Sequence, residues 1–131
     1  MAEEPVVLSG LGYAVGSDRR GNDAAEYKWL QDNVPPEEIA KLFSGYRTRA
    51  VLAEDESLGS LMQAAADMAL GAAGQEADAV DLMTGYATVS DYLTPNALNE
   101  LHKNLGARSD CWVLPVQSEY TNYLAGIAMA R

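Results

Sequence analysis

The sequence predicts an α/β fold in a single domain over residues 1–131, with a largely parallel sheet and flanking helices. Three observations lead there. Strand-like runs alternate with helix-like ones, the order that parallel strands joined by helical crossovers require. Residues 57–74 carry apolar side chains at helical spacing. Residues 111–116 form a nearly continuous apolar run, as in a strand buried on both faces. With 131 residues, 48% of them apolar, the chain can bury a core.

Taken in order, residues 5–14 are β-rich through Val6, Val7 and Leu8, and Ser9-Gly10 turns the chain. Residues 16–22 read as a polar loop of Gly, Asp and Arg. Asp23 and Glu26 have capping-box spacing ahead of Tyr27, Trp29 and Leu30, which starts a short helix. Pro35-Pro36 breaks it and opens a second helix, where Glu37 and Glu38 suit the positive end of the dipole. Ser44-Gly45 ends that one, and residues 47–53 are extended.

Ser57 caps the clearest helix, with Leu58, Leu61, Met62, Ala65, Met68, Ala69 and Ala72 on one side and Gly71 and Gly74 at its close. Residues 79–87 are the next strand. Thr94-Pro95 supplies a cap and a first-turn proline for a helix whose buried face is Leu98, Leu101 and Leu105, and Gly106 stops it. The strand of residues 111–116 then leads to a small-sided helix over residues 120–130, rich in Ala and Gly. No repeat, low-complexity tract or linker divides the chain.

Charge narrows the function. A formal net charge of −10 argues against nucleic acid and anionic membranes as partners, since both attract an excess of Lys and Arg. One cysteine, Cys111, leaves no disulfide framework and points to a reducing compartment. The first residues lack the basic and apolar regions of a signal peptide, and no apolar run approaches the ~20 residues of a membrane span. The expectation is a soluble, cytoplasmic protein.

Most chemistry-bearing residues have an ordinary structural reading. Cys111, at the start of a buried-strand pattern, reads as a core thiol. His102 stands alone beside an apolar stripe, with no Cys/His cluster to make a metal site. Gly10, Gly12 and Gly16 imitate a dinucleotide fingerprint, but the third glycine is one position late and a loop follows. Asp78, Asp81 and Asp91 lack calcium-loop spacing. Glu54-Asp55-Glu56 reads as a solvated run before a helix, and Tyr27, Trp29 and Tyr46 as core or interface aromatics. No cofactor and no metal are implied.

Several stretches in one order resemble the β-ketoacyl-acyl-carrier-protein synthase III family of thiolase-fold condensing enzymes. Val6-Val7-Leu8 running into Gly10-x-Gly12 is similar to the family's first strand. Ser44-Gly45-Tyr46-Arg47-Thr48-Arg49, then Ala53-Glu54-Asp55-Glu56, resembles its Thr-Gly-Ile-x-x-Arg and Ala-x-Glu-Asp-Glu stretch. Residues 78–92 resemble a strand and loop ending in Asp-Tyr, and Pro95-Asn96-Ala97 with Leu105-Gly106-Ala107 a following helix. The resemblance covers nearly the whole chain and implies the amino-terminal half of a thiolase-like fold.

It also implies where a nucleophile would stand. The family has Asp-x-Asn-Ala-Ala-Cys before a small-residue helix; Ser118, Glu119 and Tyr120 occupy that place, with Tyr120 in the cysteine register and Glu119 one position earlier. Condensing chemistry needs a thiolate at a helix amino terminus. A tyrosine hydroxyl, whose ordinary pKa is about 10, is a poor acyl acceptor at neutral pH. A glutamate can act as a base but holds no stable thioester. The family's His and Asn belong to its other half, and its Trp and Arg contacts to coenzyme A fall here on Ile39 and Phe43.

Two functions follow from the resemblance. One is a non-catalytic or structural subunit, inactive alone, partnering a second copy or another thiolase-fold chain. The other is a subunit of a split acyltransferase or condensing enzyme acting on acyl thioesters in fatty-acid, polyketide or other secondary metabolism, with Tyr120, Glu119 or Ser118 in a new role. Acyl carrier protein or acyl-coenzyme A would then be a partner. A third reading is a piece of a longer synthase.

Overall fold

The computed structural model describes residues 6–89, 92 and 94–130, with the side chain of Glu119 outside that set. The chain forms two compact units, Val15–Glu56 and the combination of Met1–Ala14 with Ser57–Arg131. Among the described residues no helix is long and apolar enough to cross a membrane.

The smaller unit is closed by an antiparallel pair, β1 (Asp18–Gly21) and β2 (Thr48–Val51), in the register Asp18↔Val51 to Gly21↔Thr48. β1 lies where the sequence reads as a polar loop. Three of its four residues are charged and it lacks apolar alternation; it pairs because β2 offers a matching backbone ladder, while Arg20 bonds to Asp18 at 3.3 Å and Glu26 at 2.9 Å. Between the strands run α1 (Lys28–Asn33) and α2 (Pro36–Leu42). α2 starts on Pro36 with Glu37 and Glu38 in its first turn, as the sequence implies.

This unit has little aliphatic interior. At its centre the Arg49 guanidinium lies 4.6 Å from the Phe43 ring centroid, 5.3 Å from that of Tyr27 and 5.5 Å from that of Tyr46. Tyr27 and Phe43 meet edge to face at 5.3 Å. Arg49 also donates to Asn22 Oδ1 at 2.8 Å, and Asn22 Nδ2 donates to the Tyr46 carbonyl at 2.8 Å. A cation thus organises the aromatics.

The larger unit is built on α3 (Leu58–Ala73). Ser57 and Ser60 cap it reciprocally, each hydroxyl accepting the other's backbone N–H at 3.0 Å. Residues 6–14 run without regular secondary structure where the sequence reads as a strand. Their strand-like chemistry finds no backbone ladder among the described residues. Their glycines serve α3 instead: a Cβ on Gly10 would strike the Ala69 carbonyl, and one on Gly12 the Ala65 carbonyl. The Gly-x-Gly spacing therefore permits close approach to a helix face made of alanines.

β3 (Leu82–Gly85) and β4 (Trp112–Pro115) pair in parallel, Leu82 opposite Trp112 and Gly85 opposite Pro115. α4 (Ala97–Leu105) lies between them in the chain, as a parallel connection requires. The broader parallel sheet expected from the sequence is not formed among the described residues, whose sheets are two two-stranded pairs. The cap of α4 is Asn96 rather than Thr94: its side chain accepts the N–H of Leu98 at 3.0 Å and of Asn99 at 3.1 Å, satisfying two donors of the first turn. Gly106, at φ +67°, ends the helix as predicted.

The core gathers here, in Leu98, Leu101, Cys111 and Val116. β4 itself is not buried on both faces; Trp112 is 70% exposed. Among the described residues its one strand neighbour is β3, which leaves its other edge unpaired. α5 (Asn122–Met129) follows and packs on β3 through Gly126, the buried residue of its inner face.

Candidate functional site

The region in the nucleophile register is the junction of β4 and α5. The chain leaves β4 at Pro115, passes through Val116 to Ser118 and winds one 3-10 turn over Glu119–Thr121 before α5 begins. Local polar groups hold the junction. Ser118 N–H donates to Asn122 Oδ1, and Thr121 Oγ1 donates to the Ser118 carbonyl at 2.9 Å and lies 3.1 Å from the Ser118 hydroxyl. These bonds tie off the turn ahead of the helix, the usual work of Ser, Thr and Asn at such places.

The structure therefore brings Ser118 and Tyr120 to one turn at the head of α5. Tyr120 is fully exposed, and the side chain of Glu119 lies outside the described residues. Cys111 is elsewhere. It precedes β4 at the opposite end from the turn, is 7% exposed, and has its sulfur 3.7 Å from the Trp112 carbonyl oxygen. That is the surrounding of a packed core thiol, as the sequence reading has it.

Between β3 and α5 lies an apolar cleft of about 380 Å³, lined by Thr84, Tyr86, Tyr123, Gly126 and Ile127 among others. The Thr84 hydroxyl is buried and has no hydrogen-bond partner among the described residues. The Tyr86 hydroxyl accepts from Gln117 Nε2 at 3.0 Å. Sequence reasoning singled out none of Thr84, Tyr86 and Gln117. The one available signal was Thr84, a polar residue within an apolar strand run.

The positions in the coenzyme A register, Ile39 and Phe43, sit on α2 and at its end, and line a second cleft of about 410 Å³ with Asn22, Gln31 and Pro36. Phe43 also lies under the Arg49 guanidinium. The acidic candidates resolve into structural roles. Arg108 binds Asp81 at 2.7 Å and Asp110 at 2.9 Å, and donates to the Asp78 carbonyl at 3.0 Å. The Asp110 carboxyl is held below its ordinary range by that guanidinium. Asp91 lies outside the described residues. His102 Nε2 meets the Arg108 carbonyl at 2.8 Å. No group of three His, Cys, Asp or Glu side chains that could hold a metal occurs among the described residues.

Glu56 is more than a solvated pre-helix acid. Its carboxylate accepts the Ala53 N–H at 2.9 Å and the Ser17 N–H at 2.9 and 3.2 Å. The two amides, Ala53 foremost, lower its pKa below the ordinary value. The Glu56 carboxylate thereby clasps the two ends of the smaller unit.

No protein-family model and no curated protein sequence matches the chain. Solved structures do. A 3-oxoacyl-(acyl carrier protein) synthase III from Xanthomonas oryzae pv. oryzae superimposes with a TM-score of 0.81 and 20% identity, over 94% of this chain and 37% of that one. OleA from Xanthomonas campestris, as a single-residue variant, gives 0.80 and 19%, over 94% and 36%. The chain thus has the fold of thiolase-fold condensing enzymes, and spans somewhat over a third of the length of those it matches.

Proposed function

We propose that this chain, whose fold is that of a segment of a 3-oxoacyl-(acyl carrier protein) synthase III, is the amino-terminal half of a synthase-III-like assembly and a non-catalytic or structural subunit within it. One observation carries the reading. The side chain in the cysteine register at the head of α5 is the exposed phenol of Tyr120, while the sole thiol, Cys111, is buried away from that turn. The chain then lacks an exposed thiolate at the turn, the group on which a thioester acyl-enzyme forms.

Its partner would be a second copy or another thiolase-fold chain, with an acyl carrier protein or acyl-coenzyme A as the group handled by the assembly. Supporting this, Tyr123, Leu124, Ile127 and Met129 of α5 are all exposed, and residues 111–130 carry a single charge, Glu119. Apolar surface with few charges is the kind that interaction sites present.

The test is intact mass spectrometry after incubation with acyl-coenzyme A and acyl-carrier-protein thioesters. No adduct is expected. A stoichiometric acyl group on Tyr120, Ser118 or Cys111 would overturn the reading in favour of a split acyltransferase. Ser118 is the residue that favours this second reading, since its hydroxyl already lies in a hydrogen-bonded turn ahead of a helix.

A further inference from the structure

We infer that the cleft on α2 does not take the nucleotide of coenzyme A, because the described residues that line it offer the phosphates no cation. The inference rests on the subunit reading and narrows it: any acyl-coenzyme A that the assembly uses has its nucleotide held by the partner chain. The resemblance places the family's contacts to coenzyme A at Ile39 and Phe43, and neither side chain carries a charge or a hydrogen-bonding group. The rest of the lining is Asn22, Gln31, Pro36 and Ala40, all uncharged. At about 410 Å³ the cleft is within the range of small-molecule sites, about 300–1,000 Å³, so size does not keep a ligand out.

The cations of Val15–Glu56 are committed elsewhere or stand in the open. Arg49 touches two of the lining residues, but its guanidinium faces the rings of Phe43 at 4.6 Å, Tyr27 at 5.3 Å and Tyr46 at 5.5 Å. It also donates to Asn22 Oδ1 at 2.8 Å, and reaching a phosphate would give up these contacts. Arg19 donates to the Gly16 carbonyl at 2.7 Å, Arg20 is paired with Asp18 and Glu26, and Lys28 with Asp32 at 3.0 Å. Lys41 and Arg47 are exposed, where salt screens a single charge. On α2 itself Glu37 and Glu38 outnumber Lys41. The amino end of that helix begins on Pro36, which has no N–H, and its first turn already carries the two acids. The carboxamides are engaged too: Asn22 Nδ2 donates to the Tyr46 carbonyl and Gln31 Nε2 to the Asn22 carbonyl at 3.0 Å. Phosphate recognition draws its strength from charge-assisted bonds, often bidentate from arginine. None is on offer here, and a net charge of −10 repels a polyanion at longer range.

The probe is coenzyme A itself, without an acyl group, titrated into the full chain and followed by NMR through the Ile39 methyl groups. The wild type should show no saturable shift up to about 1 mM. Ala40→Arg, which sets a guanidinium on the exposed wall of the cleft, should bring saturable binding at least about tenfold tighter than that limit and weakened by added salt. Circular dichroism checks that the variant folds, and Gln31→Arg takes its place if it does not. Saturable shifts at Ile39 in the wild type would overturn the inference. So would a folded arginine variant that gains no binding, since shape and not charge would then exclude the nucleotide. The two readings fail separately: an acyl adduct defeats the subunit reading, and a wild-type shift at Ile39 defeats this one.

Discussion

Glu56 shows how one side chain can set the acid response of a local structure. Its carboxylate accepts from Ser17 and Ala53 more strongly when ionised, and its folded pKa is lowered from 4.5. The sign follows from linkage: the contribution is complete above about pH 4.5 and is lost as the pH falls through the lower, folded value. Arg19 adds a weak attraction of the same sign. Replacing Glu56 by Gln should therefore speed amide exchange at Ser17 and Ala53 at pH 7 and change little near pH 3; equal protection in both proteins at pH 7 would refute the clasp. Thr84 presents the reverse case, a buried polar atom that nothing among the described residues satisfies. Thr84→Val should raise stability by about 1 kcal/mol, read as a higher midpoint in urea. A lower midpoint would mean that the hydroxyl has a partner.

Among the elements, those with both a periodic apolar face and a cap were legible in the sequence. α3 follows Ser57 and its apolar spacing, and α4 presents Leu98 and Leu101 inward as predicted. β3 and β4 fell within their predicted runs because β-rich, apolar segments flanked by helices have few alternatives. β1 was not legible, since Asp18, Arg19 and Arg20 carry no alternation and the strand exists through its pairing with β2, some thirty residues on. Residues 6–14 misled in the opposite direction, with strand chemistry but no ladder. Of the site, the head of α5 could be located by resemblance; the cleft could not, because it depends on Gly126 meeting Thr84 across the fold. The segment around Gly12 allows a direct check. Gly12→Val would drive side-chain atoms into the α3 backbone at Ala65 and should cost about 1–3 kcal/mol, measured by chemical denaturation. A neutral result would show that this segment is not held against the helix.

For the whole molecule, the decisive quantity is surface. On α5 alone Tyr123, Leu124, Ile127 and Met129 are exposed, and burying a large apolar side chain is worth about 1.5–3 kcal/mol. Light scattering across a dilution series should accordingly show association at micromolar concentration, or binding of an apolar dye where no partner is supplied. A monodisperse chain that binds no dye would contradict the partner reading. The aromatic setting of Arg49 has a thermal consequence. The heat capacity released on unfolding scales with newly wetted apolar area, ordinarily about 12–15 cal/mol/K per residue. Where a guanidinium among three rings takes the place of aliphatic packing, that increment shrinks, and Val15–Glu56 should lose little of its stability on cooling.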